Sequence, residues 1–316
     1  MASYTYPLQG IIESQTLDDI FADIRISVEK DAPLVIPPSR IQKGREEFFA
    51  ELRAGEQLLH RFAGQLLHQL MPEGYETIWN VIGICEGCGR KKIQNGISSE
   101  TYIGAYNELL GKNDEERTRE FTPICKNHGR AVVKKSFFIY KPKGGCDILW
   151  IELRVKEPSA KITDKIFGIN PERENSIPNN VGEIVQDLFG TRIVADDSLV
   201  ENEDYDGLLI LNDYIAGLML HGAQTKKYIG EGKKANGYEA VHTIGRIPDN
   251  NHDSRIVEVQ LRTRSMHHNA ESGKSSHEER KKRIIAERSK RPRWNEVNDT
   301  VIQIVSPRYE FSLSSE

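Results

Sequence analysis

The sequence predicts an α+β fold in which a mixed, roughly five-stranded sheet is flanked by helices, preceded by a helical region and a zinc-ribbon-like module. Three observations predict this organisation. Apolar residues recur at three- and four-residue steps over residues 41–70, and two matched pairs of zinc-ligand residues follow. Short β-rich runs then alternate with helical stretches from residue 131 onward. We expect a helical region at 1–74, the zinc module at 75–130 and the sheet domain at 131–316.

The composition is typical of a globular protein. Of 316 residues, 38% are hydrophobic and 28% are charged, with a formal net charge of −4. No run approaches the ~18 to 20 apolar residues that a membrane span needs. The first ten residues lack the basic flank and apolar stretch of a signal peptide. We therefore expect a cytoplasmic protein that does not span a membrane.

The first predicted element is an amphipathic helix over residues 41–70. Its apolar side chains share one face: Phe48, Leu52, Leu59, Phe62, Leu66 and Leu70. Gly55 and Gly64 each cost up to ~1 kcal/mol in a helix interior, so a division into two helices stays open. The segment Met71-Pro72-Glu73-Gly74 ends the helix. The residues that follow, up to 130, are predicted to be loop-rich.

The zinc module is predicted from two half-sites of the same form. Each offers two ligands separated by two residues and is followed by Gly-Arg: Cys85 and Cys88 in the first, Cys125 and His128 in the second. A tight turn with this spacing lets both side chains reach one ion, and four ligands of the Cys3His type complete a tetrahedral structural Zn²⁺ site. Cys146 lies outside the pattern.

The sheet domain is predicted from alternating strand and helix patterns. Strands are expected at 131–140, 147–155, 190–195, 239–247 and 255–263, and helices at 159–168, 181–188, 205–220 and 264–290. The first two strands are separated by Lys141-Pro142-Lys143-Gly144-Gly145-Cys146, which predicts a hairpin turn.

Candidate phosphate and metal ligands lie at two strand ends. Four cationic side chains lie at the end of the second predicted strand and in the residues that follow it: Arg154, Lys156, Lys161 and Lys165. Alternate residues of a strand share a face, so Arg154 and Lys156 are placed to bind one polyphosphate. Asp187 lies where a helix precedes a buried strand, in a position suited to hold Mg²⁺, and Arg192 is placed to bind a phosphate.

A loop and a strand complete the candidate site. In the loop, Asn236 and Gly237 predict a tight turn, with Tyr238 available to stack on a base and Lys234 to bind phosphate; His242 follows four residues later.

In the strand, Glu258, Gln260 and Arg262 alternate with apolar residues, which predicts one polar face and one apolar face. Glu258 is the candidate for a second metal ligand.

Together, these segments resemble the synthetase domain of the RelA/SpoT family over about residues 147–282. The family's R-x-K strand and its D-x-x-G/A-x-R segment are matched at 154–156 and 187–192. Its N-G-Y-x-x-x-H loop and E-[IV]-Q-[IL]-R-T-x-x-M-H strand are matched at 236–242 and 258–267, and its continuation by Ala270, Glu271, Gly273 and His277. The sequence departs from the family at 177–180, where basic residues are usual, and at Ala160, where serine is common.

The resemblance implies a nucleotidyltransferase-like fold and a Mg²⁺-dependent transfer of pyrophosphate from ATP to the ribose 3′-hydroxyl of GDP or GTP. It implies that Mg²⁺ is held by Asp187 and Glu258. The implied ATP-binding residues are Arg154, Lys156, Lys161, Lys165 and Arg192, and the implied acceptor-binding residues are Lys234, Asn236, Tyr238, His242, Gln260 and Arg262.

Two other functions stay open. Toxin-type relatives of the family pyrophosphorylate the 3′ end of tRNA, and the basic run at 280–293, together with the zinc module, offers cations for RNA. A degenerate synthetase that only senses nucleotides is the second alternative. The role of residues 1–130 as a regulatory, antitoxin-like or docking region stays open, as does the oligomeric state.

Overall fold

A computed structural model describes residues 14–84, 91–99, 124–125, 129–130, 132–155, 162, 188–220, 223–234, 237–247, 255–272 and 293–305. The chain divides into two compact units. The first comprises the described parts of Met1–Gly55, Glu157–Leu188 and Arg280–Glu316. The second comprises those of Glu56–Lys156 and Phe189–Glu279. The domain boundaries expected from the sequence, at residues 74 and 130, stay a prediction.

The described residues form five α-helices and ten strands. The helices are α1 (Gln15–Lys30), α2 (Pro38–Leu70), α3 (Asp206–Gly217), α4 (Arg264–Ser272) and α5 (Trp294–Val305). The strands are β1 (Tyr75–Ile84), β2 (Lys91–Ser99), β3 (Ile124–Cys125), β4 (Gly129–Arg130), β5 (Val132–Pro142), β6 (Ile148–Val155), β7 (Phe189–Ala195), β8 (Gln224–Tyr228), β9 (Ala240–Ile247) and β10 (Arg255–Thr263).

Helix α1 belongs to the first unit and was not expected from the sequence. Its first turn is capped by Ser14, whose Oγ accepts a hydrogen bond from the backbone N–H of Leu17 at 3.1 Å. It ends at Asp31, which adopts the left-handed conformation with φ of 47°. The side chain of Arg293 binds Asp31 at 3.0 Å, a contact between residues 262 apart in sequence, and is itself held by Glu296 at 3.0 Å.

The amphipathic helix predicted over residues 41–70 is confirmed as α2, which runs unbroken through Gly55 and Gly64. The apolar side chains placed on one face are buried in the second unit at Leu59, Phe62 and Leu66, each no more than 2% exposed. Burial of this face offsets the helix cost of the glycines, which is why they do not divide the segment.

One mixed sheet of eight strands forms in the described part of the second unit, in the order β2-β1-β5-β6-β7-β10-β9-β8. Strands β7 and β10 are parallel neighbours, and the other pairs are antiparallel. The mixed α+β class is therefore confirmed, and the strands and the hairpin turn predicted after residue 131 are present within one or two residues of the expected bounds.

The prediction of a loop-rich region after residue 75 was wrong for β1 and β2. These strands extend the sheet beyond β5, and β8 adds a further unexpected strand at the opposite edge. Residues 75–84 contain the β-branched and aromatic run Thr77-Ile78-Trp79 and Val81-Ile82, which is a strand signal. Strand β8 reads Gln-Thr-Lys-Lys-Tyr and is mostly exposed, so no apolar alternation marks it.

Helix α4 follows β10 directly and is anchored at its first turn. The carboxylate of Asp197 accepts hydrogen bonds from the backbone N–H of Ser265 at 2.9 Å and from its hydroxyl at 3.0 Å. Burial acts to raise the pKa of Asp197, but these hydrogen bonds outweigh it and hold the pKa below its usual value. An anion at this helix end also complements the helix dipole. The position of α4 is thus fixed by the loop that follows β7.

Some predicted elements fall outside the described residues. These are the helices expected at 159–168 and 181–188, apart from Ile162 and Leu188, and the predicted helix 264–290 beyond Ser272. The predicted helix 205–220 is confirmed as α3. Among the described residues, no helix has both the length and the apolar character needed to cross a membrane.

His60 should make the stability of the protein depend on pH. It lies in α2, is 3% exposed and packs edge-on against Phe138 at 5.1 Å between ring centroids. Burial lowers the pKa of His60 to about 4. Between about pH 6.5 and 4 the unfolded chain binds a proton that the folded chain does not, so the free energy of unfolding falls as pH falls, by roughly 3 kcal/mol at most.

Urea unfolding at several pH values tests this. His60→Phe should flatten the dependence between pH 6.5 and 4, whereas the same change at His68, which is exposed on the same helix, should not. Equal slopes for His60→Phe and wild type would contradict the assignment.

Candidate functional site

The polar residues predicted for β10 form part of a row that crosses several strands of the second unit. The register pairs His242 of β9 with Gln260 of β10, Gln260 with Arg192 of β7, and Arg192 with Glu152 of β6. Paired residues point to the same face of a sheet, so these four side chains share a face. The pattern of alternation predicted for Glu258, Gln260 and Arg262 places them on this face too.

This face of β10 is buried. Glu258, Gln260 and Arg262 are 8%, 7% and 2% exposed. A buried charged or amide group is costly unless it is hydrogen-bonded, so the three side chains require partners. Their hydrogen-bond partners are one another, one residue of the loop before β9 and one residue of β9.

Five side chains close into a ring of hydrogen bonds. Arg262 Nη2 donates to the hydroxyl oxygen of Tyr238 at 2.6 Å and to Gln260 Oε1 at 3.1 Å. Gln260 Nε2 donates to Glu258 Oε2 at 3.0 Å. His242 joins the two ends, with Nδ1 2.9 Å from Glu258 Oε1 and Nε2 2.6 Å from the Tyr238 hydroxyl.

The direction of each bond in this hydrogen-bond ring follows from the groups present. An ionised carboxylate only accepts, so the Nδ1 of His242 carries a hydrogen and donates it to Glu258. A neutral imidazole then accepts at Nε2, and the Tyr238 hydroxyl donates to it while accepting from Arg262. Both oxygens of Glu258 are therefore held by hydrogen bonds from different directions.

Arg262 of the ring and Arg192 beside it share one carboxylate. Oε1 of Glu271, in α4, is 3.1 Å from Arg192 Nη1 and 3.6 Å from Arg262 Nη1. Arg192 also contacts Glu152 Oε2 at 3.5 Å. Burial lowers the pKa of Arg262, and the charge of Arg192 lowers it further. The carboxylates offset this repulsion, which keeps two buried guanidinium groups close together.

The loop before β9 places a lysine against two aromatic rings. Gly237 adopts φ of 78°, a conformation that favours glycine, and its N–H donates to the Lys234 carbonyl oxygen at 2.8 Å. The turn brings Lys234 Nζ to 4.5 Å from the Tyr228 ring centroid and 5.4 Å from that of Tyr238. Arg262 Cζ lies 4.9 Å from the Tyr238 centroid. The Tyr238 ring thus lies within cation–π distance of both Lys234 and Arg262.

A second row on the same face contains a residue without a side chain. Glu258 pairs with Gly190 of β7, and Gly190 pairs with Arg154 of β6. Since neighbouring strands lie about 4.8 Å apart, the Cα atoms of Glu258 and Arg154 are roughly 10 Å apart in this row. Gly190 is itself buried and adds no side chain to the row between them.

The structure brings together seven of the residues predicted for catalysis and nucleotide binding: Arg192, Lys234, Tyr238, His242, Glu258, Gln260 and Arg262. It places Arg154 by its backbone in β6. Lys156, Lys161, Lys165, Asp187 and Asn236 lie outside the described residues. The roles of all these residues in catalysis and in nucleotide binding stay predictions.

Sequence reasoning missed two residues of this face and gave a third no role. Glu152 lies two residues before Arg154 in β6, so the alternation that placed Arg154 and Lys156 on one face also identifies Glu152. Glu271 was noticed only as part of a motif. Tyr228 lies in the unpredicted strand β8 and had no signal of its own.

Of the four predicted zinc ligands, only Cys125 lies in the described part of the chain. Cys125 lies in β3, and its backbone pairs with Gly129 of β4 in a short antiparallel hairpin. Cys85, Cys88 and His128 lie outside the described residues. Within the part of the chain that is described, no cluster of three or more His, Cys, Asp or Glu residues is arranged to hold a metal ion.

Comparison with known proteins agrees with the motifs. Residues 153–284 match the family described as "Region found in RelA / SpoT proteins", which confirms the resemblance predicted from the sequence. Comparison with curated proteins finds no match.

Three solved structures illustrate the similarity. Small alarmone synthetase 1 from Bacillus subtilis, bound to its product pppGpp, is 22% identical over 52% of this chain and 77% of its own, with a TM-score of 0.33. Small alarmone synthetase 2 from the same organism is 21% identical over 50% and 76%, with a TM-score of 0.28. A GTP pyrophosphokinase family protein from Streptococcus pneumoniae is 19% identical over 64% and 84%, with a TM-score of 0.27.

Removing the Tyr238 hydroxyl should destabilise the protein. Tyr238→Phe leaves Arg262 and His242 without their short hydrogen bonds to it, and Arg262 is 2% exposed. Leaving buried polar groups unsatisfied costs about 1–3 kcal/mol. The free energy of unfolding in urea measures this. Tyr214→Phe is the matched control, because Tyr214 is 45% exposed. A loss no larger for Tyr238→Phe than for this control would show that the hydrogen-bond ring does not stabilise the fold.

Proposed function

We propose, from the RelA/SpoT region at residues 153–284 and the polar face of the sheet within it, that this protein is a pyrophosphokinase. It transfers the β,γ-pyrophosphate of ATP to the ribose 3′-hydroxyl of GDP or GTP. The observation that carries the proposal is the buried carboxylate of Glu258, which is 8% exposed and held at both oxygens on a face shared with Arg192 and Arg262. Burial at this cost favours a functional carboxylate, because an apolar residue would stabilise a strand more readily.

The reaction requires positioning and charge stabilisation more than covalent chemistry by the protein. The 3′-oxygen of the acceptor attacks the β-phosphorus of ATP in line. A bond forms between that oxygen and the β-phosphorus, and the bond from the β-phosphorus to the α,β-bridging oxygen breaks. AMP leaves with the bridging oxygen. The hydroxyl proton passes to the carboxylate of Glu258, which acts as the general base.

The donor set at Glu258 fits a magnesium ion. His242 and Gln260 hold its two oxygens in place, and an ionised carboxylate is a negatively charged oxygen ligand. Mg²⁺ prefers carboxylate and phosphate oxygens. Glu258 and Asp187 would hold the ion, which supplies neutralising charge for the phosphates of ATP.

The donor phosphates are assigned to the row of Arg154, Gly190 and Glu258. Gly190 lies between the other two in the register and adds no side chain to the row. Arg154 belongs to this row by its backbone position in β6, Arg192 lies two residues from Gly190 in β7, and bidentate arginine contacts suit phosphate oxygens. Lys156, Lys161 and Lys165 extend the cationic segment along the chain.

The acceptor is assigned to the loop and strand that carry Tyr238. The Tyr238 ring offers a face for a base, and Lys234 lies 5.4 Å from its centroid, close enough to bind an acceptor phosphate. Gln260 and Arg262 lie on β10 beside Tyr238, and Asn236 precedes Gly237 in the sequence. A base that stacks on the Tyr238 ring would take the place of one of the cations that contact the ring.

Transfer to the 3′ end of tRNA is the second candidate function. Residues 280–293 hold eight Lys and Arg and one Glu, a charge density that suits a nucleic-acid backbone. In that case the zinc module and residues 1–130 would serve RNA binding or neutralisation of the activity. A sequence that has lost activity and only senses nucleotides would retain binding without transfer.

Glu258→Gln should abolish transfer while the chain stays folded. The amide can neither accept the hydroxyl proton nor offer a charged ligand to Mg²⁺, so we expect kcat to fall by about 10³-fold or more. The assay follows label from the β- and γ-phosphates of ATP onto GDP, GTP and deacylated tRNA offered in parallel with Mg²⁺. Glu201→Gln is the control, because Glu201 is exposed and lies away from the polar face.

The labelled product decides between the candidates. Label on a guanosine nucleotide supports the proposed acceptor, and label on tRNA replaces it with the toxin-type reaction. Binding of ATP by the full chain with no transfer to any acceptor would favour the nucleotide-sensing function. Full activity of Glu258→Gln would overturn the role given to this carboxylate.

The zinc site is proposed from the two half-sites at Cys85–Cys88 and Cys125–His128. The short hairpin in which Cys125 pairs with Gly129 supports it, since a tight turn is what a ligand pair with this spacing needs. Elemental analysis of purified protein should find about one Zn²⁺ per chain, lost in Cys85→Ser and retained in Cys146→Ser. Equal zinc content in the two variants would contradict the ligand set.

A further inference from the structure

We propose that His242 is a positioning residue that couples the acceptor loop to the carboxylate of Glu258. Its Nδ1 holds Glu258 and its Nε2 holds the hydroxyl of Tyr238, so one imidazole connects the residue assigned to the acceptor base with the residue assigned to the acceptor hydroxyl. The role rests on the proposed function, which assigns Glu258 and Tyr238. It differs from the expectation, implied by the family resemblance, that His242 contacts the acceptor directly.

Both ring nitrogens of His242 are engaged by the protein. Nδ1 lies 2.9 Å from Glu258 Oε1, and Nε2 lies 2.6 Å from the Tyr238 hydroxyl. An imidazole has only these two polar atoms. A phosphate contact would therefore break one of two short hydrogen bonds. The geometry favours a residue that acts through its neighbours.

The carboxylate of Glu258 is fixed because it is held at both oxygens. His242 binds Oε1 and Gln260 binds Oε2, so rotation of the carboxylate breaks at least one hydrogen bond. Gln260 is itself held by Arg262, which also binds Tyr238. Within this hydrogen-bond ring, one route from the Tyr238 hydroxyl to Glu258 runs through His242 alone, and the other runs through Arg262 and Gln260.

The plane of the imidazole is fixed by aromatic packing. Tyr228 meets the ring edge-on, with centroids 5.1 Å apart and an interplanar angle of 86°. Tyr238 contacts it at 5.8 Å and 72°. The ring is also restrained by its strand, since His242 lies inside β9 and pairs on both sides, with Lys226 and with Gln260. The imidazole is thus preorganised, which is what a positioning residue requires.

This arrangement makes the reactive orientation of Glu258 depend on the acceptor loop. When the turn at Gly237 places Tyr238 against His242, the imidazole is held in the tautomer that donates to Glu258. If Tyr238 leaves, Nε2 loses its partner and the restraint on the imidazole weakens. A base stacked on Tyr238 would hold the loop in place and, through His242, the carboxylate.

Two substitutions at His242 in the full chain separate positioning from phosphate contact. His242→Leu removes both hydrogen bonds, whereas His242→Asn keeps a donor near the position of Nδ1. Misplacement of a reactive group by about 1 Å costs on the order of 10²-fold in rate. We expect His242→Leu to lower kcat by about 10²-fold with both KM values within about threefold of wild type, and His242→Asn to recover most of the loss.

A binding measurement without turnover accompanies the kinetics. Groups that hold a metal ligand typically affect metal affinity by about 10–100-fold, so His242→Leu should weaken Mn²⁺ binding to the nucleotide-free protein and His242→Asn should not. Arg246→Leu, in the same strand and outside the five-residue hydrogen-bond ring, is the control for disturbance of β9. Urea unfolding of each variant establishes that it is folded.

The outcomes are distinct from those of the proposed function. A rise of more than about tenfold in acceptor KM with kcat retained in His242→Leu would assign His242 to the acceptor phosphates and overturn the proposal. Equal losses in His242→Asn and His242→Leu would also overturn it. If the wild-type protein transfers label to no acceptor, the proposed function fails, and Mn²⁺ affinity then decides: a weaker affinity only in His242→Leu supports positioning, and equal affinities overturn it.

Discussion

The buried polar face of β10 is the constraint on which the second unit depends. Three charged or amide side chains at 258, 260 and 262 are each less than 9% exposed, in a strand that has a neighbour on both sides. Breaking one member of a buried charged network costs about 3–5 kcal/mol, so every group must have a partner in the folded chain. Partners come from β9 and from the loop before it, and the positions of those segments follow from this requirement.

Parallel pairing of β7 with β10 extends the constraint across the sheet. It sets Arg192 beside Gln260 and Gly190 beside Glu258, so that a charged side chain and a residue without a side chain alternate along β7. A parallel neighbour needs a crossover connection, which here contains α3, β8 and β9. Glu271 of α4 then offsets the charge of two buried arginines, and Asp197 anchors the start of the same helix. The loop after β7, helix α4 and strand β10 are thus held together by these charged side chains.

Sequence patterns were reliable where one element carries its own signal. The alternation of Glu258, Gln260 and Arg262 with apolar residues identified β10 and its two faces, and the three- and four-residue steps identified α2. They failed where the signal depends on a neighbour. Strand β8 is exposed and has no alternation. Strand β1 is a different case, because its β-branched and aromatic run is a strand signal of its own. Glu152 was missed because nothing in its own strand shows that Arg192 lies opposite.

The sequence by itself determined the kind of chemistry, because motifs list donors and acceptors in order along the chain. It placed Glu258, Tyr238 and His242 in one site and matched them to a known region. Only the tertiary structure decided which atoms meet. The two nitrogens of His242 are divided between a carboxylate and a phenol that lie 20 residues apart in sequence, and the pairing follows from the register of β9 on β10. Register is a property of two strands together, and a one-residue shift would turn every polar side chain to the other face.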